Sequence, residues 1–159
     1  MSRSKIETKT NKTELKKQNE QFEPRLIGFC CNWCSYAGAD LAGLYRVKYP
    51  TNVRIIRTMC SSRVDPEFVI NAFMTGVDGV LIAACHPGNC HYVSQNYKTI
   101  KRVALLIPLL ETFGINKERL RLEFISAGEG NKFAETIVDM VSLLKELGPS
   151  PLSKSKEDK

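Results

Sequence analysis

The sequence lacks the segments that would take a chain into a membrane or out of a cell. No stretch approaches the roughly 20 apolar residues that a spanning helix requires. The amino terminus is rich in Lys, Thr and Glu and has no apolar core of the signal-peptide kind. The expectation is a soluble, cytoplasmic protein with no membrane partner, in a compartment where thiols stay reduced and structural disulfides are rare. Internal repeats and coiled-coil heptads are missing too, and no glycine-rich phosphate fingerprint follows the first apolar run. The body of the chain also has little excess charge. Of the net +6, residues 1–22 hold a surplus of +3 and residues 150–159 hold +1, so only +2 remains for residues 23–149. The basic balance lives in the tails, and no nucleic-acid partner is expected.

What the sequence does have is cysteine in one pattern. Cys30, Cys31 and Cys34 crowd into the stretch Phe29–Cys34, where an apolar run ends, and Cys60, Cys85 and Cys90 each follow the end of another such run. With 159 residues and 43% hydrophobic content, the chain can bury a full single-domain core. A metal is therefore not needed merely to hold it together.

The apolar patterning predicts four strands alternating with helices. Arg25–Cys31 and Gly79–Ala84 are apolar in succession, as in strands buried on both faces. Asn52–Met59 is β-branched, and Leu120, Leu122 and Phe124 alternate with charged residues, which suits an exposed edge. Helices are predicted over Ser35–Tyr49, from Asp65-Pro66 to Gly76, over about Tyr92–Phe113 with a kink or break at Pro108, and from Phe133 to Gly148. The small residues Ala37, Gly38, Ala39, Ala42 and Gly43 leave the first helix open to close approach by the sheet or by another subunit. Strands joined by right-handed helical crossovers form a parallel sheet. The expected fold is a single α/β domain, flavodoxin-like or Rossmann-like, with strand order 2-1-3-4 and helices on both faces. Residues 23–148 form that domain, between flexible tails at 1–22 and 149–159.

In such a sheet all loops that follow strands open on one edge, and ligands bind where the strand order reverses. Strand 1 then lies between strands 2 and 3, and neighbouring strands are about 4.8 Å apart. Thiols from three adjacent loops could meet there. A 2Fe-2S cluster takes four thiolates and one electron, and a single zinc would also accept four. The residue ranking is Cys31, Cys34, Cys60 and Cys85 as ligands with Cys90 as the close alternative, while Cys30 points the other way in its strand as a small buried hydrophobe. His86 and His91 directly follow cysteines and suit hydrogen bonding to cluster sulfur. Trp33, between two ligands, either shields the site or plugs the domain edge. The spacing Cys31-Asn-Trp-Cys34 also fits a dithiol oxidoreductase, but that reading leaves Cys60, Cys85 and Cys90 without a role. No catalytic residue with its own substrate is expected.

The motifs Cys31-Asn-Trp-Cys34-Ser-Tyr-Ala-Gly-Ala-Asp40, Tyr49-Pro50-Thr-Asn-Val-Arg54, Gly76-Val-Asp78-Gly79 and Cys85-His-Pro-Gly-Asn-Cys90-His91-Tyr92 resemble the delta subunit of methyl-viologen-reducing hydrogenase of methanogenic archaea. The resemblance spans roughly residues 22–147. It implies an iron–sulfur subunit with one 2Fe-2S cluster, in a complex of nickel–iron hydrogenase and heterodisulfide reductase. Such a subunit would pass electrons from the hydrogenase small subunit, or from a formate dehydrogenase, to the flavin-containing A-subunit of heterodisulfide reductase for flavin-based bifurcation. In this sequence Cys31, Cys34, Cys60, Cys85 and Cys90 match the family's cysteines. The rival reading is a zinc-stabilised adaptor with no redox role.

Overall fold

A computed structural model describes residues 22–154. Four parallel strands, β1 (Leu26–Cys31), β2 (Val53–Thr58), β3 (Gly79–Ala84) and β4 (Leu120–Phe124), form one sheet in the order β2-β1-β3-β4. This is the expected 2-1-3-4 topology. The two inner strands are the apolar runs, and every residue of β3 is buried. The outer strands carry the charged, half-exposed residues, as alternation in β4 predicted.

Two helices cover each face. Helices α2 (Pro66–Met74) and α3 (Gln95–Thr112) close over Phe29, Val80, Ile82 and Leu120, with Phe73 and Leu110 fully buried. On the other face α1 (Ser35–Leu44) and α4 (Gly130–Leu147) pack on Leu26, Leu81 and Ile125 through Phe133, Ile137 and Leu144. Three of the small residues of α1, Gly38, Ala39 and Ala42, are buried, and α4 with its leading loop packs closely against this stretch, whereas Gly43 is exposed. A Cβ on Gly38 would lie 2.8 Å from the Ser126 carbonyl oxygen, and one on Gly130 would lie 2.8 Å from the Ala42 nitrogen.

Helix ends follow local chemistry. At α2, Asp65 accepts a hydrogen bond from the Glu67 amide at 3.2 Å, Pro66 fills the first turn, and Gly76 takes a left-handed φ of 90°. The first helix is shorter than its pattern predicts. It stops at Leu44 because the Arg46 amide turns back to Gly43 and the Val47 amide to Ala42, a Schellman closure with Arg46 at φ 54°. Arginine occupies the place that glycine usually marks, so the sequence carries no stop signal there, and Val47 and Tyr49 instead pack beside the α1/α4 core. The third helix starts at Gln95, three residues later than expected, because Val93 adopts a left-handed φ of 68°. It then runs unbroken through Pro108. Pro108 and Ala104, the residue whose carbonyl it leaves without an amide, both face solvent, so water can take that bond.

The chain stays packed slightly beyond Gly148. Ser150 is buried, its amide donates to Asp78 Oδ1 at 2.9 Å, and Leu152 in the short helix α5 (Pro151–Lys154) packs on the α2/α3 side. The beginning of the segment expected as a carboxy-terminal tail is thus attached to the domain. Residues 1–21 and 155–159, the rest of the two expected tails, lie outside the described residues.

Candidate metal centre

The thiols sit where the topology directs them, at the carboxyl edge of the sheet. Cys31 is the last residue of β1, and Cys34 caps the start of α1, its carbonyl accepting the Gly38 amide at 2.9 Å. Cys85 directly follows β3. Their sulfurs all lie within 4.8 Å of one another, Cys31 and Cys85 at 3.6 Å, and all three are buried.

Ser35 makes this convergence possible. Its hydroxyl accepts the Cys31 amide at 2.8 Å and donates to the Ala83 carbonyl at 2.7 Å, joining the exits of β1 and β3. Fully buried, it has both bonding roles filled.

The donor set has the chemistry of a cation site. Hydrogen bonds from Cys34 and then Cys85 hold the Cys31 thiol down at about 2. Sharing protons with that thiolate pushes Cys34 well up, and Cys85 up to about 12. Three sulfurs this close cannot all carry charge against one another unaided. Ionising all three requires a positive centre in their midst, which is what a thiophilic metal or an iron–sulfur cluster supplies. Backbone amides already face the sulfurs, those of Trp33 and Ser61 toward Cys31 and that of His91 toward Cys85. The residues fit such a group.

The remaining cysteines take different places. Cys90 is partly exposed and packs against the trio. Cys60 is buried next door, outside the group of mutually close sulfurs. Its sulfur accepts the Ser62 hydroxyl at 3.3 Å, and it lines a cleft of about 290 Å³ with Met59, Ser62, Arg63, Tyr92 and Gln95. The preceding carbonyl, of Met59, reaches Cys31 Sγ at 3.9 Å. Cys30 faces the opposite side of the sheet among the α1/α4 core residues, where burial pushes its thiol up to about 12. It is the small hydrophobe expected.

Trp33 does not plug the edge. It is 46% exposed and stacks on the His91 ring at 3.8 Å, while its indole N–H donates to the Tyr92 hydroxyl at 3.2 Å. The imidazoles have partners other than sulfur. His86 Nε2 lies 2.7 Å from Glu129 Oε2, and the His91 ring meets Trp33 and Tyr92, while the His91 backbone amide faces the Cys85 sulfur. Sequence reasoning missed Glu129. The Ser126 amide first, and His86 second, hold its carboxyl down at about 2. It also missed Ser35 and Asn96, whose types and spacing resemble ordinary helix-start residues.

Fold and thiol group together define the class: a four-stranded Rossmann-like domain with a buried thiol site at the carboxyl edge of its sheet. The chain belongs to the methyl-viologen-reducing hydrogenase delta-subunit family, whose model matches residues 26–148. It is 50% identical over 136 residues to the iron–sulfur D-subunit of the vhc F420-non-reducing hydrogenase of Methanococcus voltae, covering 86% of this chain and 94% of that one. With the iron–sulfur D-subunit of the F420-non-reducing hydrogenase of Archaeoglobus profundus it shares 47% over 131 residues, 82% of this chain and 96% of that one. It also shares 50% over 126 residues with the A-subunit of the ferredoxin/F420H2-dependent CoB-CoM heterodisulfide reductase of Methanosarcina acetivorans. That match takes in 79% of this chain but only 16% of the longer reductase protein. No described helix is long and apolar enough to cross a membrane.

Proposed function

We propose that the chain is the iron–sulfur electron-transfer subunit of a hydrogenase and heterodisulfide reductase complex, holding one 2Fe-2S cluster. The observation that carries this reading is the group of three buried thiols, Cys31, Cys34 and Cys85, with all sulfurs within 4.8 Å of one another. A 2Fe-2S cluster supplies one-electron chemistry at a site that needs no substrate pocket. The three thiols bind it, and Cys90, packed against them, supports a fourth ligand more directly than Cys60, which the sequence ranking had placed ahead of it. Trp33 and His91, stacked at 3.8 Å, tie the turn before Cys34 to the loop that carries Cys90. The names of the hydrogenase and reductase relatives support the partners. The chain accepts electrons from a hydrogenase small subunit or a formate dehydrogenase and delivers them to the flavin-containing A-subunit of the reductase, where bifurcation takes place.

Anaerobic purification tests the reading. About two irons and two sulfides per chain, with 2Fe-2S absorption, are expected. One colourless zinc per chain would instead establish the docking adaptor. Serine variants of Cys60 and Cys90 decide the fourth position: loss of iron from Cys90→Ser and its retention in Cys60→Ser is the expected pair.

A further inference from the structure

Helix α3 carries a row of polar side chains on its inward face that no requirement of the core explains. Asn96 is fully buried in its first turn, and its side-chain amide donates to two carbonyls at once, Cys85 at 3.2 Å and His86 at 3.0 Å. Its carbonyl oxygen accepts the Tyr97 amide at 3.0 Å. One turn on, the hydroxyl of buried Thr99 meets that of buried Ser61 at 2.9 Å. Three residues further, Arg102 donates to the carbonyls of Ser62 and Val64. The spacing of three puts these residues on one side of a helix, and each grips a loop that leaves the carboxyl edge of the sheet. An apolar residue in place of Asn96 would leave two buried carbonyls without donors.

We propose that Asn96, Thr99 and Arg102 form a positioning row that sets the Cys85 loop and the Cys60 loop relative to Cys31, so that the thiol site stands assembled before its metal arrives. The inference rests on the metal reading above. It adds that affinity for the metal is built into α3, which supplies no ligand itself. Asn96 draws the carbonyl dipoles of residues 85 and 86 toward the helix and away from the sulfurs. Thr99 holds Ser61, whose backbone amide faces Cys31 sulfur. N–H groups are thereby brought to bear on the thiolates, beside the Met59 carbonyl that already lies 3.9 Å from Cys31 Sγ. Misplacing ligands through the groups that orient them typically lowers metal affinity by about 10–100-fold.

The test uses the full chain, reduced, anaerobic and free of metal, titrated with Co(II), whose thiolate charge-transfer band reports sulfur ligation. Asn96→Ala is expected to weaken Co(II) binding about 10-fold or more and to reduce the band per bound metal. Thr99→Val, which keeps the side-chain volume and so folds even if Asn96→Ala does not, should weaken binding several-fold, and Thr99→Ser, which keeps the hydroxyl, should restore it. Thr136→Val, on α4 at the far face, removes a similar buried hydroxyl bonded to the Lys132 carbonyl at 2.8 Å and should leave Co(II) binding unchanged. Wild-type affinity in both Asn96→Ala and Thr99→Val would overturn the positioning row while leaving the metal reading intact. A wild-type chain that shows no thiolate band would overturn both.

Discussion

The two ends of the sheet bury polar chemistry to similar depth and resolve it in opposite ways. At the amino end Asp78 and Arg119 are 1% and 3% exposed. Asp78 accepts the amides of Arg25 and Ser150, both at 2.9 Å, and Arg119 donates to the carbonyls of Asp78, Leu147, Gly148 and Pro149 at 3.0, 3.3, 2.8 and 3.3 Å. The chain supplies a partner for that charge, and burial still pulls the guanidinium down from its ordinary range against the opposing pull of Asp78. At the carboxyl end Cys31, Cys34 and Cys85 have mainly one another and a few amides. One end is closed by the fold; the other is left open to a cation. The amino end should therefore govern stability and the carboxyl end should govern metal content, with little crossing over.

Cys85→Ser should break the carboxyl end alone. Iron and sulfide content should fall to near zero, while the metal-free chain keeps its unfolding midpoint to within about 1 kcal/mol, as small isosteric changes usually do. Metal analysis and urea unfolding of the same preparation check both halves. A large loss of metal-free stability would show that the thiol edge also holds the fold.

Arg119→Ala is the mirror experiment. Removing one partner of a buried polar group leaves the other uncompensated, at about 3 kcal/mol or more. Urea unfolding should show that loss with metal stoichiometry per folded chain unchanged. Reduced iron per folded chain would mean that the two ends are coupled through β3 and β4.

The sequence made the open end far more legible than the closed one. Cysteine is a rare residue with few uses, and three apolar runs that each deliver it to a strand exit dictate the edge on which it gathers. Strand order 2-1-3-4 followed from the same runs, because β1 and β3 are apolar throughout and β4 alternates. What stayed illegible was chemistry carried by common residues. Ser35, Asn96 and Thr99 acquire roles only from the loops that come to lie against them, and Asp78, Arg119 and Ser150 are 28 or more residues apart along the chain in each of their pairings. The early end of α1 was hidden for a similar reason: its stop is written with Arg46 and not glycine.

Arg46 and Val93 offer a finer comparison, since among the described residues each end of the sheet has one non-glycine residue in the left-handed region, at φ 54° and 68°. Arg46 closes α1 near the amino end, whereas Val93 is β-branched, 83% exposed and paired with Cys90 in the loop after β3. Glycine should relieve both, by about 1 kcal/mol at Val93, where branching makes the conformation costlier, and by about 0.5 kcal/mol at Arg46. Arg46→Gly should leave Co(II) affinity unchanged. Val93→Gly should weaken it slightly, because the Cys90 loop becomes freer when metal-free, so matched unfolding and Co(II) titrations separate the two.

The smallest effect concerns Glu129, a carboxylate at the open end bonded to His86 beside Cys85. Its pKa falls from 4.5 to about 2 on folding, chiefly because the Ser126 amide donates to it at 2.6 Å and secondly because of His86 at 2.7 Å. A carboxyl whose pKa is lowered by folding contributes stability that is fully present above its unfolded value and lost as pH falls through its folded value. The difference in stability between wild type and Glu129→Gln should thus be constant above pH 5 or so, shrink from about pH 4.5 downward and vanish near pH 2. The side chain is 36% exposed, so solvent screens the interaction and the difference is small even at its largest. Unfolding curves at matched ionic strength across that range measure it. A difference that instead grew toward low pH would mean that the protonated carboxyl is the bonded form at this edge, and that the loop after β4 is held by something other than a charge.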